Sequence, residues 1–170
     1  MKRFFTLLLL TLSLLNAKAN QPIFDIVDTN NQHIKIQGSD NGLNVIGAEG
    51  KVVFIEFFGH RCPPCLKTIP HLIDIKNKYK DKVEIIAIEV QGLNHKQLQS
   101  FAKQKGINYH AISDEDTGMF TNYIAQRTQW QGSIPFTLIL DTKGEAQVIQ
   151  VGLIPQHVLE TVIEKLTTKK

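Results

Sequence analysis

Cysteine is scarce in this chain, which has only Cys62 and Cys65 in 170 residues. A disulfide between positions this close closes too small a loop to stabilise a fold much, because that stabilisation grows with loop length. The sequence therefore has no framework of structural disulfides, and we interpret the pair as reactive. A local structural disulfide is the alternative.

The chain also lacks an apolar run of the about 20 residues that a membrane-spanning helix needs. Residues 4–15 are mostly Leu and Phe, and they follow a basic start at residues 1–3. The small-x-small pattern of a signal peptidase site follows at residues 17–19. We predict a cleaved signal peptide over residues 1–19 and one domain over residues 20–170, with an uncleaved anchor as the alternative.

The chain also lacks an excess of charge of one sign once its predicted leader is removed. The formal net charge is +3, and it falls to 0 without the leader, which contains Lys2, Arg3, Lys18 and no acid. This balance argues against nucleic acid as a partner and against a polybasic membrane patch. The histidines at positions 71, 95, 110 and 157 show no metal-ligand spacing, so we predict no metal site.

The cysteines follow an apolar run over residues 52–58, interrupted only by Glu56, which predicts a buried strand. Pro63 and Pro64 stand between the cysteines, and proline is tolerated in the first turn of a helix, where its missing N–H would have no intrahelical partner. We therefore expect Cys62 at or beside a helix N-terminus.

A helix N-terminus stabilises an anion such as a thiolate, so Cys62 is the predicted nucleophile. His60 and Arg61 directly precede it, and positive charge there lowers a thiol pKa further. Cys65 lies one helical turn later and can attack a mixed disulfide on Cys62, which makes it the predicted resolving thiol.

The rest of the chain alternates strands and helices, so we predict an α/β protein. Two short strands precede residue 38, and a loop over residues 38–50 leads to the central strand. We predict helices over residues 65–79, from Asn94 to Gly106, from Asp114 or Asp116 through residue 124, and from about residue 155. The other predicted strands are residues 83–90, 107–112, 136–140 and 146–151, and the last two form a hairpin.

The sequence resembles the thioredoxin superfamily, and more closely its periplasmic TlpA/ResA-type branch. The residues that carry the likeness are Phe57-Phe58-Gly59-His60-Arg61-Cys62-Pro63-Pro64-Cys65, then Pro70, then Ile134-Pro135 before the run at residues 136–141. The resemblance implies a thioredoxin-like fold, with a central mixed sheet flanked by helices. It also implies an N-terminal β-hairpin extension, an inserted short strand and helix, and a periplasmic location.

The resemblance also implies a site in which the dithiol faces a cis-proline loop at Pro135. The backbone of Ile134 would then be free to bind an extended substrate strand. We further expect Phe58, His60 and Arg61 to contact substrate. Trp130 forms one wall of the groove or belongs to the core.

Glu56 matches the buried acid that thioredoxins place beneath the disulfide. Burial would raise its pKa toward neutrality, where it could exchange a proton with Cys65. A carboxylate that reaches solvent or pairs with lysine is the alternative. Arg61 replaces the family's tryptophan, and Thr68 replaces the acid of many TlpA-type reductases, so the group that deprotonates Cys65 stays open.

These features predict a thiol:disulfide oxidoreductase that needs no cofactor beyond its redox-active disulfide and acts on protein substrates. The resemblance favours a reductase, with apocytochrome c thiols as the candidate substrate and a membrane thiol-redox partner. A Cu(I) or zinc carrier is one alternative, although such relatives usually have three residues between their cysteines. A thiol peroxidase is another, although residues 59–61 contain no threonine.

Overall fold

A computed structural model describes residues 21–168 of the chain. The predicted signal peptide over residues 1–19, with its cleavage site, lies outside this range. No helix in the described part of the chain combines the length and the apolar character needed to cross a bilayer.

Eight strands and four α-helices occur within residues 21–168. The strands are β1 (Ile23–Val27), β2 (His33–Gly38), β3 (Leu43–Val45), β4 (Val52–Phe58), β5 (Val83–Glu89), β6 (His110–Ser113), β7 (Phe136–Leu140) and β8 (Ala146–Val151). The helices are α1 (Pro63–Lys78), α2 (His95–Lys105), α3 (Phe120–Thr128) and α4 (Gln156–Thr168).

The main sheet has the order β6-β5-β4-β7-β8. Its β4, β5 and β6 run parallel, and β7 and β8 pair antiparallel. The predicted thioredoxin-like fold with a central mixed sheet is therefore confirmed. The central strand β4 is buried along its whole length.

Alternation along β4 divides the core into two clusters, because successive side chains of a strand point to opposite faces. Val52, Phe54 and Phe58 belong to the cluster that includes both cysteines. Val53, Ile55 and Phe57 belong to the cluster that includes the N-terminal sheet and α3. Glu56 therefore lies on the cysteine side of the sheet.

The N-terminal extension is larger than the predicted hairpin. Strand β3 pairs antiparallel with β2 and makes a three-stranded sheet, where we predicted a loop over residues 38–50. Three residues with Asn44 in the middle carry too little pattern to predict a strand, so this element depends on its tertiary partners. The amide of Leu43 donates to the carbonyl of Gly144 at 2.9 Å and joins this sheet to the β7–β8 turn.

Most helix boundaries follow their predicted signals. Asn94 forms a capping box at the start of α2, and Gly106 ends it in the left-handed conformation. Helix α1 contains Pro70, as expected, and begins at Pro63, so both prolines of the motif lie in its first turn as predicted. The predicted helix at Asp114 or Asp116 is instead a short 3₁₀ turn, and α3 begins later, at Phe120.

We predict that Gly144→Ala lowers the free energy of unfolding by about 2 to 3 kcal/mol. The φ of Gly144 is +81°, and an added Cβ would collide with the carbonyl oxygen of Leu43. Gly50→Ala is the matched control, because Gly50 has a φ of +78° with open space around it and should lose only about 1 kcal/mol. Urea denaturation measures both, and equal losses would contradict this account.

Candidate active site

The two cysteines occupy the start of α1. Cys62 is the N-cap in an extended conformation, and Pro63 and Pro64 are the first two helical residues. Proline has no N–H, so the first amide hydrogen of the helix belongs to Cys65, and it points at the Sγ of Cys62 across 3.3 Å. The predicted position of Cys62 at a helix N-terminus is confirmed.

Cys62 and Cys65 form a disulfide, with their Cα atoms 5.2 Å apart. Cys62 is 7% exposed and Cys65 is completely buried. An attacking sulfur from solvent therefore reaches Cys62 and not Cys65, which agrees with the predicted roles of nucleophile and resolving thiol.

The loop before β7 faces this disulfide. The Ile134–Pro135 peptide bond is cis, as predicted, and Pro135 is buried. The carbonyl oxygen of Ile134 lies 3.9 Å from the Sγ of Cys62. The amide of Gly152 donates to the carbonyl of Pro135 at 2.8 Å and holds the loop to the end of β8.

Trp130 supports this loop from the opposite face of the sheet. Its ring stacks on Phe136 with centroids 5.1 Å apart and contacts Phe57 at 4.7 Å. Its Nε1 donates to the carbonyl of Ser133 at 2.7 Å. Trp130 was expected to form a wall of the substrate groove or to belong to the core, and the core contacts are present. The indole also fixes Ser133, the residue before Ile134.

Phe58 does not lie at the surface where a substrate would bind. It is 2% exposed, and its ring packs in the cysteine-side cluster, 6.3 Å from the ring of Phe101. The expectation that Phe58 contacts substrate directly is therefore wrong. Facing alternates along β4, and this residue lies on an inner face at the end of a fully buried strand.

Glu56 is buried, with 3% of its surface exposed. Burial raises the pKa of Glu56 to about 8, and the Thr68 hydroxyl beside it opposes this shift. The Thr68 proton is already donated to the carbonyl of Pro64 at 3.2 Å, and the Oε1 of Glu56 has no partner among the described residues. Burial therefore prevails, and the alternatives of a solvated or lysine-paired carboxylate are excluded.

Glu89, the last residue of β5, and Gln91, two residues later, contact the motif, and neither contact was predicted from the sequence. Glu89 is completely buried and lies 2.8 Å from the Nδ1 of His60. Gln91 accepts a hydrogen bond from the amide of Arg61 at 2.8 Å. An acid that interrupts or ends an apolar strand is a signal that applies to Glu89 in β5 as it does to Glu56 in β4.

The side chains of His60 and Arg61 differ in their exposure. The His60 ring is 21% exposed and pairs with Glu89, whereas the side chain of Arg61, the residue next to Cys62, is exposed.

The other histidines of the described range do not form a metal site. His95 pairs with Asp116 and His110 pairs with Asp28. Within residues 21–168, no three His, Cys, Asp or Glu side chains gather in an arrangement that would hold a metal ion.

Residues 22–149 match the family model described as the AhpC/TSA family. The chain is 29% identical over 119 residues to the thiol-disulfide oxidoreductase ResA of Halalkalibacterium halodurans, a match covering 68% of this chain and 62% of that protein. It is 26% identical over 142 residues to ResA of Bacillus subtilis, covering 83% and 70%. The chain thus spans less than two thirds of the first of these relatives.

Solved structures share the fold. A thiol:disulfide interchange protein of the thioredoxin family from Chlorobium tepidum has a TM-score of 0.71 at 17% identity, covering 86% of this chain and 94% of that one. A thiol-disulfide isomerase from Corynebacterium glutamicum has a TM-score of 0.65 at 20% identity, covering 89% and 99%. At these identities the likeness concerns the fold alone.

We predict that Glu56→Gln stabilises the oxidised protein increasingly as pH rises. Folded Glu56 keeps its proton up to a pKa of about 8, whereas the unfolded side chain loses it near 4.5. Between these values the folded wild type binds more protons than the unfolded chain, so its stability falls with pH by up to about 1.4 kcal/mol per unit. Glutamine at this position does not titrate.

Denaturant unfolding of both oxidised proteins from pH 5 to pH 9 measures this difference. The stability of Glu56→Gln minus that of wild type should grow from about pH 5 to about pH 8 and then level off. Subtraction removes the titration of the groups that the two proteins share. A difference that does not depend on pH would show that Glu56 ionises normally in the folded state.

Proposed function

Because this chain belongs to the AhpC/TSA family and is a thioredoxin-superfamily protein of the TlpA/ResA type, we propose that it exchanges disulfides with protein substrates through Cys62 and Cys65. One observation carries the proposal. The only cysteines of the chain meet at a helix N-terminus, with the accessible sulfur facing a cis-proline loop.

In the reducing direction, the Cys62 thiolate attacks one sulfur of a substrate disulfide. A Cys62–substrate disulfide forms, and the other substrate sulfur leaves as a thiolate, which takes a proton from solvent. Cys65 then loses its proton and attacks the Sγ of Cys62. The substrate leaves with its second thiol, two electrons have moved to it, and the protein holds the Cys62–Cys65 disulfide.

Glu56 is the proposed acceptor of the Cys65 proton. Both side chains lie on the same side of β4, and Cys65 is completely buried, so its proton cannot pass directly to bulk water. A carboxyl group whose pKa is about 8 is close to the about 8.5 of an ordinary thiol, which allows transfer in either direction. Thr68 stands where many TlpA-type reductases have an acid, and it cannot accept a proton at neutral pH.

Substrate would bind across the loop at Ile134 and Pro135. The Ile134 carbonyl lies beside the reactive sulfur, and no partner for the Ile134 amide occurs within the described range, so both can bond an extended substrate strand. Arg61 is exposed beside them and adds a positive charge where tryptophan is usual in thioredoxins. The proposed substrates are therefore peptide segments around a cysteine.

We assign the reducing direction from the likeness to ResA, with apocytochrome c thiols as the candidate substrate. The proposed location is the periplasm, reached through the leader at residues 1–19. A periplasmic reductase works against an oxidising environment, so it needs a membrane thiol-redox partner that supplies electrons.

We predict that Cys65→Ser accumulates a covalent Cys62–substrate disulfide, because the resolving thiol is gone. Cys62→Ser should abolish both turnover and trapping, because the remaining thiol is buried. Non-reducing electrophoresis with a disulfide-containing test protein measures both results. Trapping by Cys62→Ser would contradict the assigned roles.

Metal analysis of the same preparations tests the alternative of a metal carrier. That alternative requires bound metal in the wild type that Cys62→Ser loses.

We predict a reduction potential for the Cys62–Cys65 pair near or below that of glutathione, about −220 mV or lower, as a reductase requires. Equilibration with glutathione or dithiothreitol buffers, followed by alkylation of free thiols, measures it. A value near about −120 mV, as in strong oxidants, would reverse the assigned direction while leaving disulfide exchange intact.

The peroxidase alternative has its own test. Consumption of peroxide by the protein in the presence of a thiol donor would support that alternative.

A further inference from the structure

Glu89 accepts hydrogen bonds from three backbone amides and contacts the ring of His60. Its Oε1 accepts from the amide of His60 at 3.2 Å and from the amide of Gln91 at 3.0 Å, and it contacts the His60 Nδ1 at 2.8 Å. Its Oε2 accepts from the amide of Leu93 at 2.9 Å. One carboxylate thus connects the turn before Cys62 with the loop between β5 and α2.

Gln91 makes a second connection between the same two segments. Its Oε1 accepts from the amide of Arg61 at 2.8 Å. The side chain lies against Gly59, where an added Cβ would collide with it. The amides of the two residues that directly precede the nucleophile are therefore held by the last side chain of β5 and by one from the loop that follows it.

These contacts fix how the chain enters α1. The amide of Cys62 donates to the carbonyl of Gly59 at 3.2 Å, and Cys62 then takes the extended conformation that aims its Sγ at the amide of Cys65. Because the prolines remove the other nearby N–H groups, this single donor depends on the orientation of the turn. If the turn were free to rotate, the Cys65 amide would donate to the Cys62 sulfur only part of the time.

We propose that Glu89 and Gln91 are positioning residues that set the reactivity of Cys62 by holding the turn formed by residues 59–61. The inference rests on the proposed disulfide exchange for its purpose, but the thiol chemistry that it predicts is measurable on its own. Neither residue touches the sulfur, so both act through the backbone of His60 and Arg61.

A purely structural role for Glu89 predicts something different. It would satisfy the buried amides of its own loop, at Gln91 and Leu93, and its loss would lower stability without altering the thiol. A purely electrostatic role is also distinguishable. Removing a negative charge near Cys62 would favour the thiolate and lower the thiol pKa, whereas loss of positioning raises it.

The test is the rate of alkylation of reduced protein by iodoacetamide between pH 4 and pH 9, which reports the Cys62 thiolate because Cys65 is buried. We expect the midpoint to move to higher pH in both Glu89→Gln and Gln91→Met. Below the midpoint the rate should fall about fivefold, because the hydrogen bond to the thiolate is then lost part of the time, and its complete loss would cost about tenfold or more. Tyr109 packs in the cysteine-side cluster, and it is unchanged in both variants, as are the other charged or titratable groups of the site, His60, Arg61, Cys65 and Glu56.

Two matched controls separate positioning from stability. Glu84→Gln removes an acid from the opposite end of β5, where it pairs with Lys51 and Lys76. Gln99→Met removes a side-chain bond from α2 to the carbonyl of Thr29 at 2.7 Å. Both should change thermal stability and leave the alkylation midpoint at the wild-type value.

The outcomes decide between the explanations. Wild-type midpoints in Glu89→Gln and Gln91→Met, or equal shifts in the controls, would overturn the proposal. A lower midpoint in Glu89→Gln with none in Gln91→Met would leave electrostatics as the explanation and also overturn it. If Glu89→Gln does not fold, the Gln91→Met and Gln99→Met pair decides alone. Wild-type protein that alkylates as expected but exchanges no disulfide would contradict the proposed function and not the positioning.

Discussion

The hydrogen bond from the Cys65 amide to the Cys62 sulfur is the interaction on which the site depends. It exists because α1 begins at Pro63, so that a cysteine occupies the N-cap position where an oxygen-bearing side chain is usual. The sulfur thereby meets the positive end of a helix that is itself packed against the sheet. Every other part of the site either holds this geometry or uses the sulfur that it exposes.

The sheet supplies the remaining groups through the ends and faces of two buried strands. β4 places Glu56 on the cysteine side of the core by alternation, and β5 ends in Glu89, opposite Phe58 in the sheet register. Each of these two carboxyl groups is costly to bury, but their hydrogen-bond partners differ. Glu89 accepts from three backbone amides and contacts the Nδ1 of His60, whereas Glu56 has an unpaired oxygen and so favours its protonated form.

Sequence reasoning predicted the elements whose signals are local. Three of these signals specify a backbone conformation within a few residues, and each is confirmed: the proline pair after Cys62, the Asn94 cap and the Gly106 terminus. Strand β3 and the contacts of Glu89 were missed because they depend on partners far along the chain. Phe58 was expected to contact substrate because it lies near the motif in sequence, but nearness in sequence does not determine the face on which a side chain lies.

The same prolines that place Cys62 at the helix start also limit how strongly the thiolate is stabilised. An N-cap side chain usually has the amides of the second and third helical positions within reach, but Pro64 removes one of them. The sulfur then has one helical N–H donor instead of two. A less stabilised thiolate makes the reduced protein less stable relative to its disulfide, and a protein that gives up electrons more readily is the better reductase. The missing donor at Pro64 therefore supports the reducing direction that we propose.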